Sequence, residues 1–236
     1  MTWGEIRFVT GGATSVNGSG SNAGLLRNLD KAPDATELGQ DATYYDTFPL
    51  DDSSGTLRAS GCSYGSSART MASIANTDAY TPHVAEGIDA EARNEFTCLN
   101  EGTNDVIGDH TSIIHGVGLL VPDIAQMSLQ GTSLIWSPRT NVTLYGDTAS
   151  APVFSTLGVR IALGTDWIIT GSMNMLRELR CADELNTDRW HSYFTDEQLW
   201  LMATRDAAGA LAVDDVLGAL STGHIADIAI LHGKTT

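Results

Sequence analysis

Short apolar runs separated by amphipathic stretches recur from about residue 66 to residue 207 of this 236-residue chain. The runs Ala79–Ala85, Thr111–Val117, Thr132–Trp136 and Val159–Leu163 have the length and composition of buried strands. Helical spacing predicts Ala68–Thr77, Asp89–Leu99, Pro122–Gln130 and Ala151–Leu157 around them, then Met173–Leu185 and Asp196–Ala207. Asp89 offers an N-cap with Glu91 in the first turn, Pro122 opens the following helix, and Thr195 caps the last. Such alternation predicts a parallel sheet with crossover helices. The first 65 residues differ. Ile6–Val16 reads as a short helix or strand fragment entering a Gly/Ser-rich turn, and Gly18–Gly65 as irregular chain with one ordered island, Leu25–Asp30. So long a loop in a compact domain is a candidate cover for a site.

Polar residues gather where the apolar runs stop. His83 and Glu86 close the first run, His115 the second and Asp166 the fourth, while Ser137 and Asn141 follow the third. In parallel α/β sheets the carboxyl ends of strands carry the chemistry. Neutral imidazoles and carboxylates bind divalent zinc or iron, which acidifies water. His83 and Asp166 are therefore candidate ligands. His115 is a candidate ligand or a partner for the substrate or attacking water, and Glu86 a candidate proton shuttle.

Composition narrows the classes. Hydrophobic residues at 42% and charged residues at 18% describe a globular chain with a substantial core. A net charge of −16, with Lys31 and Lys234 the sole lysines, argues against nucleic acid and anionic membranes as partners. The sequence shows neither a membrane-length apolar run nor a signal peptide, so a cytoplasmic location is expected. Cys62, Cys98 and Cys181 are odd in number and far apart, and read as thiols.

The segments TPHVAEG (residues 81–87), IHG (114–116), WSPRTNVTLYG (136–146) and ALGTDW (162–167) resemble the later strand ends of the amidohydrolase superfamily, in its cytosine deaminase and triazine chlorohydrolase-like branch. GSMNMLREL (171–179) resembles the helix after its last barrel strand, and GHIADIAIL (223–231) the return into its small β-domain. The resemblance runs from about residue 79 to 231. It implies an α/β fold: part of a TIM-type (β/α)₈ barrel over residues 1–220, with residues 221–236 beginning a largely missing small β-domain. It also implies His83 on a fifth barrel strand as metal ligand, Glu86 as proton shuttle, His115 on the sixth orienting water or substrate, and Asp166 on the eighth binding metal and deprotonating water. The Ser137–Asn141 loop would organise the seventh strand end, with Asn141 structural. The implied cofactor is a divalent metal, zinc or iron. The implied activity is hydrolysis of non-peptide carbon–nitrogen bonds of a small nitrogen-containing molecule, in a monomer or a homo-oligomer. One departure stands out. The family's first-strand His-x-His pair has no counterpart here, His83 being the first histidine. The chain is thus expected to begin after the first barrel strands, and its alternative role is structural or binding.

Overall fold

A computed structural model describes residues 2–18, 24–32 and 37–232. Its centre is a five-stranded, wholly parallel sheet in the order β3 (Tyr44–Asp46), β4 (Tyr80–Val84), β5 (Ser112–His115), β6 (Ser133–Trp136) and β7 (Ile161–Leu163). Sequential strands are neighbours and helices fill the crossovers, which is the order of an arc of a (β/α) barrel. Every residue of β5 and β7 is buried, so both faces of these strands are covered, with Ile113, Ile114 and Ile161–Leu163 supplying the apolar part. The register aligns Val84 with His115, Ile114 with Ile135 and Trp136 with Leu163, which brings the carboxyl ends to one level.

The N-terminal helix α1 (Thr2–Thr10) precedes a two-stranded parallel sheet, β1 (Ser15–Val16) with β2 (Arg27–Asn28). The crossover helices α2 (Met71–Ile74), α3 (Ala90–Leu99), α4 (Val121–Gln130), α5 (Pro138–Tyr145) and α6 (Ala151–Thr156) lead to α7 (Met175–Trp190), α8 (Asp196–Met202) and α9 (Arg205–Ala210). Asp89 caps α3 by accepting from Ala92 N, and Thr195 with Gln198 forms a capping box on α8. Gly131, at φ +78°, ends α4 in the left-handed conformation that suits glycine. The larger of two buried clusters among the described residues, including Tyr80, Phe96, Met127, Trp136 and Phe154, fills the space between sheet and helices.

Several expectations change. The stretch 18–65 contains β3, whose Tyr-Tyr-Asp sequence carries no aliphatic run. Ala68–Thr77 shrinks to α2, whose start is set by the Thr70 cap. Asp196–Ala207 breaks at Thr204, which leaves helical geometry and turns its hydroxyl onto Trp200 O. The Ser137–Asn141 loop is mostly helix α5. Cys62 and Cys98 form a disulfide with Cα atoms 5.3 Å apart. Their separation of 36 residues gives no local spacing signal, and only Cys181 is a free thiol. Residues 221–232 hold no strand, and Asp227 pairs with Arg27 of β2 at 2.5 Å. Among the described residues no helix is long and apolar enough to cross a membrane.

Candidate metal and proton-transfer site

The strand ends converge. A ring nitrogen each from His83 and His115 and a carboxylate oxygen of Asp166 all lie within 4.8 Å of one another. Glu86 Oε2 stands 3.3 Å from His115 Nε2. All four residues singled out in the sequence therefore meet in one place, and Asn141 joins them.

Backbone strain accompanies this convergence. His115 (φ +79°) and Asp166 (φ +52°) sit in the left-handed region, as does Ala85 (φ +55°), the residue before Glu86. Non-glycine residues enter that region at a cost, and it re-aims the side chain as the chain leaves the strand. Local bonds hold each turn. Glu95 of α3 accepts from Ala85 N at 2.8 Å, and Val84 O accepts from Gly116 N at 3.1 Å. After Asp166 the chain doubles back so that Thr165 O accepts from Ser172 N. A Cβ on Gly171 would fall 1.9 Å from Thr165 O, so this return requires glycine.

Each imidazole is held from behind. His83 Nδ1 is 3.1 Å from the carbonyl oxygen of Asp46, which can only accept, so Nδ1 carries the proton and Nε2 keeps its lone pair. Asp46 is itself fixed by Arg69 at 2.5 Å and by the Tyr80 hydroxyl at 3.3 Å. His115 is fully buried with Asn141 Nδ2 at 3.1 Å from its Nδ1. Its Nε2 has no hydrogen-bond partner among the described residues, because Glu86 is near but misaligned.

The protonation states suit metal and proton chemistry. Burial lowers the pKa of His83, and burial with the neighbouring His83 holds His115 well below the ordinary imidazole range. Both rings are neutral, the form that ligates metal. Burial pushes Glu86 up to about 7, against the Tyr145 hydroxyl, which donates to its Oε1 at 3.1 Å. A carboxyl poised near neutrality both takes and returns protons.

Sequence reasoning missed four supporting residues: Asp46, Glu95, Tyr145 and Glu178. Tyr145 had a readable signal once α5 is seen. Asn141 and Tyr145 are four apart on one helix, so one face delivers both the His115 and the Glu86 partner. Glu178 of α7 accepts from Arg139 N at the start of α5, and burial raises it to about 7. The site opens on a largely apolar cavity of about 1120 Å³, lined by Tyr45, His83, Asp166, Trp167, Met175 and Leu179 among others.

A parallel arc of β/α units with its polar residues at the carboxyl rim defines part of a (β/α) barrel. The sequence profile of the amidohydrolase family matches residues 68–235, and the chain belongs to that family. It is 31% identical over 120 residues to a 5-methylthioadenosine/S-adenosylhomocysteine deaminase from Pyrococcus abyssi, covering 50% of this chain and 28% of that protein. It is 32% identical over 81 residues to an aminodeoxyfutalosine deaminase from Deinococcus radiodurans, covering 34% of this chain and 19% of that one. The matched region thus spans less than a third of either relative. An adenosine deaminase from Xanthomonas campestris, solved with bound zinc, superposes with a TM-score of 0.65 at 16% identity, over 95% of this chain and 59% of that one. Guanine deaminase from E. coli gives 0.56 at 22% identity, over 66% and 38%. These structural likenesses support the fold: a partial TIM-type barrel.

Proposed function

We propose that this chain carries the later-strand half of a metal-dependent hydrolase site acting on non-peptide carbon–nitrogen bonds of small nitrogen-containing molecules. The observation that carries this is the meeting of His83, His115 and Asp166 within 4.8 Å beside a Glu86 carboxyl poised near pH 7. The donor set fits a divalent ion. Neutral His83 presents Nε2 because Asp46 occupies its Nδ1, and Asp166 adds an anionic oxygen. His83 and Asp166 would hold the metal, zinc or iron, and when bound it would supply acidification of a water molecule.

The chain's own residues do the rest. Ionised Glu86 accepts a proton from the attacking water and, turning by its side-chain torsions, returns it to the leaving nitrogen. Asp166 assists the first deprotonation. His115, beside Glu86 and Asp166, orients water or substrate. The apolar cavity excludes water from a flat heterocycle, with Tyr45 and Trp167 among its aromatic walls. Deaminases among the relatives favour an amino-bearing ring as substrate. The test is zinc titration of the purified chain by calorimetry, followed by ammonia release from a panel of aminopurines, aminopyrimidines and aminotriazines. Zinc uptake that disappears in His83→Ala, with ammonia release from at least one panel member, is expected. A chain that binds neither zinc nor iron overturns the proposal.

A further inference from the structure

We propose that a one-way hydrogen-bond chain, Trp136 to Thr148 to Asn141 to His115, fixes the proton of His115 on Nε2. That imidazole is then a hydrogen-bond donor facing the site and does not ligate metal through Nε2. The role toward substrate rests on the hydrolytic function proposed above; the proton assignment does not.

The direction of the chain starts at a group that cannot reverse. Indole Nε1–H only donates, and Trp136 Nε1 lies 2.7 Å from Thr148 Oγ1. Thr148, accepting there, donates its own hydroxyl proton to Asn141 Oδ1 at 3.2 Å. That contact identifies which end of the Asn141 amide is oxygen and turns its NH₂ toward His115. Asn141 Nδ2 then donates to His115 Nδ1 at 3.1 Å, so Nδ1 must hold a lone pair. A neutral ring with a bare Nδ1 carries its proton on Nε2.

Reversing the amide would place two N–H groups on Thr148 Oγ1 and leave its hydroxyl proton without an acceptor shown by any contact of the described residues. Every member is buried, with Trp136, Asn141 and His115 fully so, and burial makes such an orphan costly. The links also span separate elements. Trp136 ends β6, Asn141 lies in α5, Thr148 follows α5, and His115 ends β5. The relay therefore ties the left-handed turn at His115 to the next β/α unit.

The consequence separates the two histidines. His83, backed by a carbonyl, presents a lone pair. His115, backed by an amide N–H, presents a proton on Nε2, the nitrogen that stands 3.3 Å from Glu86 Oε2 and beside His83 and Asp166. Trp136, Thr148 and Asn141 are positioning residues, acting only through His115.

Long-range ¹H–¹⁵N imidazole spectra of the ¹⁵N-labelled, metal-free chain at pH 8 test this, with His115→Gln identifying the resonance. The expected wild-type pattern is a protonated Nε2 and a bare Nδ1. In Asn141→Asp, whose carboxylate can only accept, the proton moves to Nδ1. Thr148→Val, which loses the hydroxyl, gives a mixture, and Thr148→Ser restores the wild-type pattern. A wild-type His115 protonated on Nδ1, or an Asn141→Asp spectrum with the proton still on Nε2, overturns the proposal. The wild-type spectrum decides even where a variant fails to fold. Zinc added to the wild type distinguishes the two proposals. A shift at His83 Nε2 with His115 keeping its proton on Nε2 supports both. A proton displaced to Nδ1 of His115 overturns the donor role. No shift at either ring overturns the metal reading and leaves the proton assignment standing.

Discussion

The rings of His83 and His115 lie 5.0 Å apart between centroids, and each is held on its far side by a different kind of group, a backbone carbonyl for one and a side-chain amide for the other. Two like residues on adjacent strands are thereby made chemically unlike. On the proposed reading, one ligates and the other donates. The same distance explains part of the depressed pKa of His115, since a charge on one ring opposes a charge on the other.

Removing the ligand candidates tests the metal assignment. His83→Ala and Asp166→Asn are each expected to weaken zinc binding by more than about 100-fold, beyond the roughly 10–100-fold that outer-shell changes cause. Calorimetric titration reads this, and wild-type affinity in either variant would remove that residue from the ligand set.

Glu86→Gln is expected to lower kcat by about 10²- to 10⁴-fold while zinc affinity changes little, since in the proposed mechanism the carboxyl moves protons and does not hold the ion. Because Glu86 must be ionised to take a proton, activity rises with pH through about 7. The Tyr145 hydroxyl lowers that pKa, so Tyr145→Phe should move the inflection to higher pH. A pH–rate profile unmoved by Tyr145→Phe would refute this coupling.

Glu95 links the site to stability. Burial raises its carboxyl from an ordinary 4.5 to about 7. A raised acid favours the folded protein while protonated, so its contribution is full below about pH 4.5 and is lost as pH rises to about 7. Glu95→Gln retains an acceptor for Ala85 N without the titration. It should match the wild type near pH 4.5 and be more stable near pH 8, by on the order of 2 kcal/mol. Urea unfolding at both pH values checks this, and an equal loss of stability at both would contradict it.

The Cys62–Cys98 bond pins the loop after β3 to α3, the helix that carries Glu95. For a separation of 36 residues, chain entropy predicts about 4 kcal/mol of stabilisation. Cys62→Ser, or reduction with a strong thiol, should lower the melting temperature and increase protease cleavage within residues 51–65. An unchanged melting temperature on full reduction would show that the loop is held by its other contacts.

Four strands, most of the crossover helices and the four strand-end residues His83, Glu86, His115 and Asp166 were readable because apolar runs and helical spacing report burial. Helix α5 was not, because Pro-Arg-Thr-Asn-Val-Thr-Leu-Tyr has weak helix propensity, and Pro138 with the left-handed Gly146 cap and its neighbours defines it instead. Strand β3 is Tyr-Tyr-Asp and lacks the aliphatic run that marked β7, yet it supplies the carbonyl that orients His83. The disulfide likewise joins residues with no local signal.

By itself, then, the sequence determined which residues could do chemistry and that they would lie on one rim. That follows from strand length and from the rule that parallel strands point the same way. Only the tertiary structure decided what each residue is. The lone pair of His83, the donor on His115 and the near-neutral carboxyl of Glu86 depend on Asp46, Asn141 and Tyr145, which come from other elements. Proton position and pKa are set by what stands within about 3 Å and by the exclusion of water, and neither is a property of local sequence.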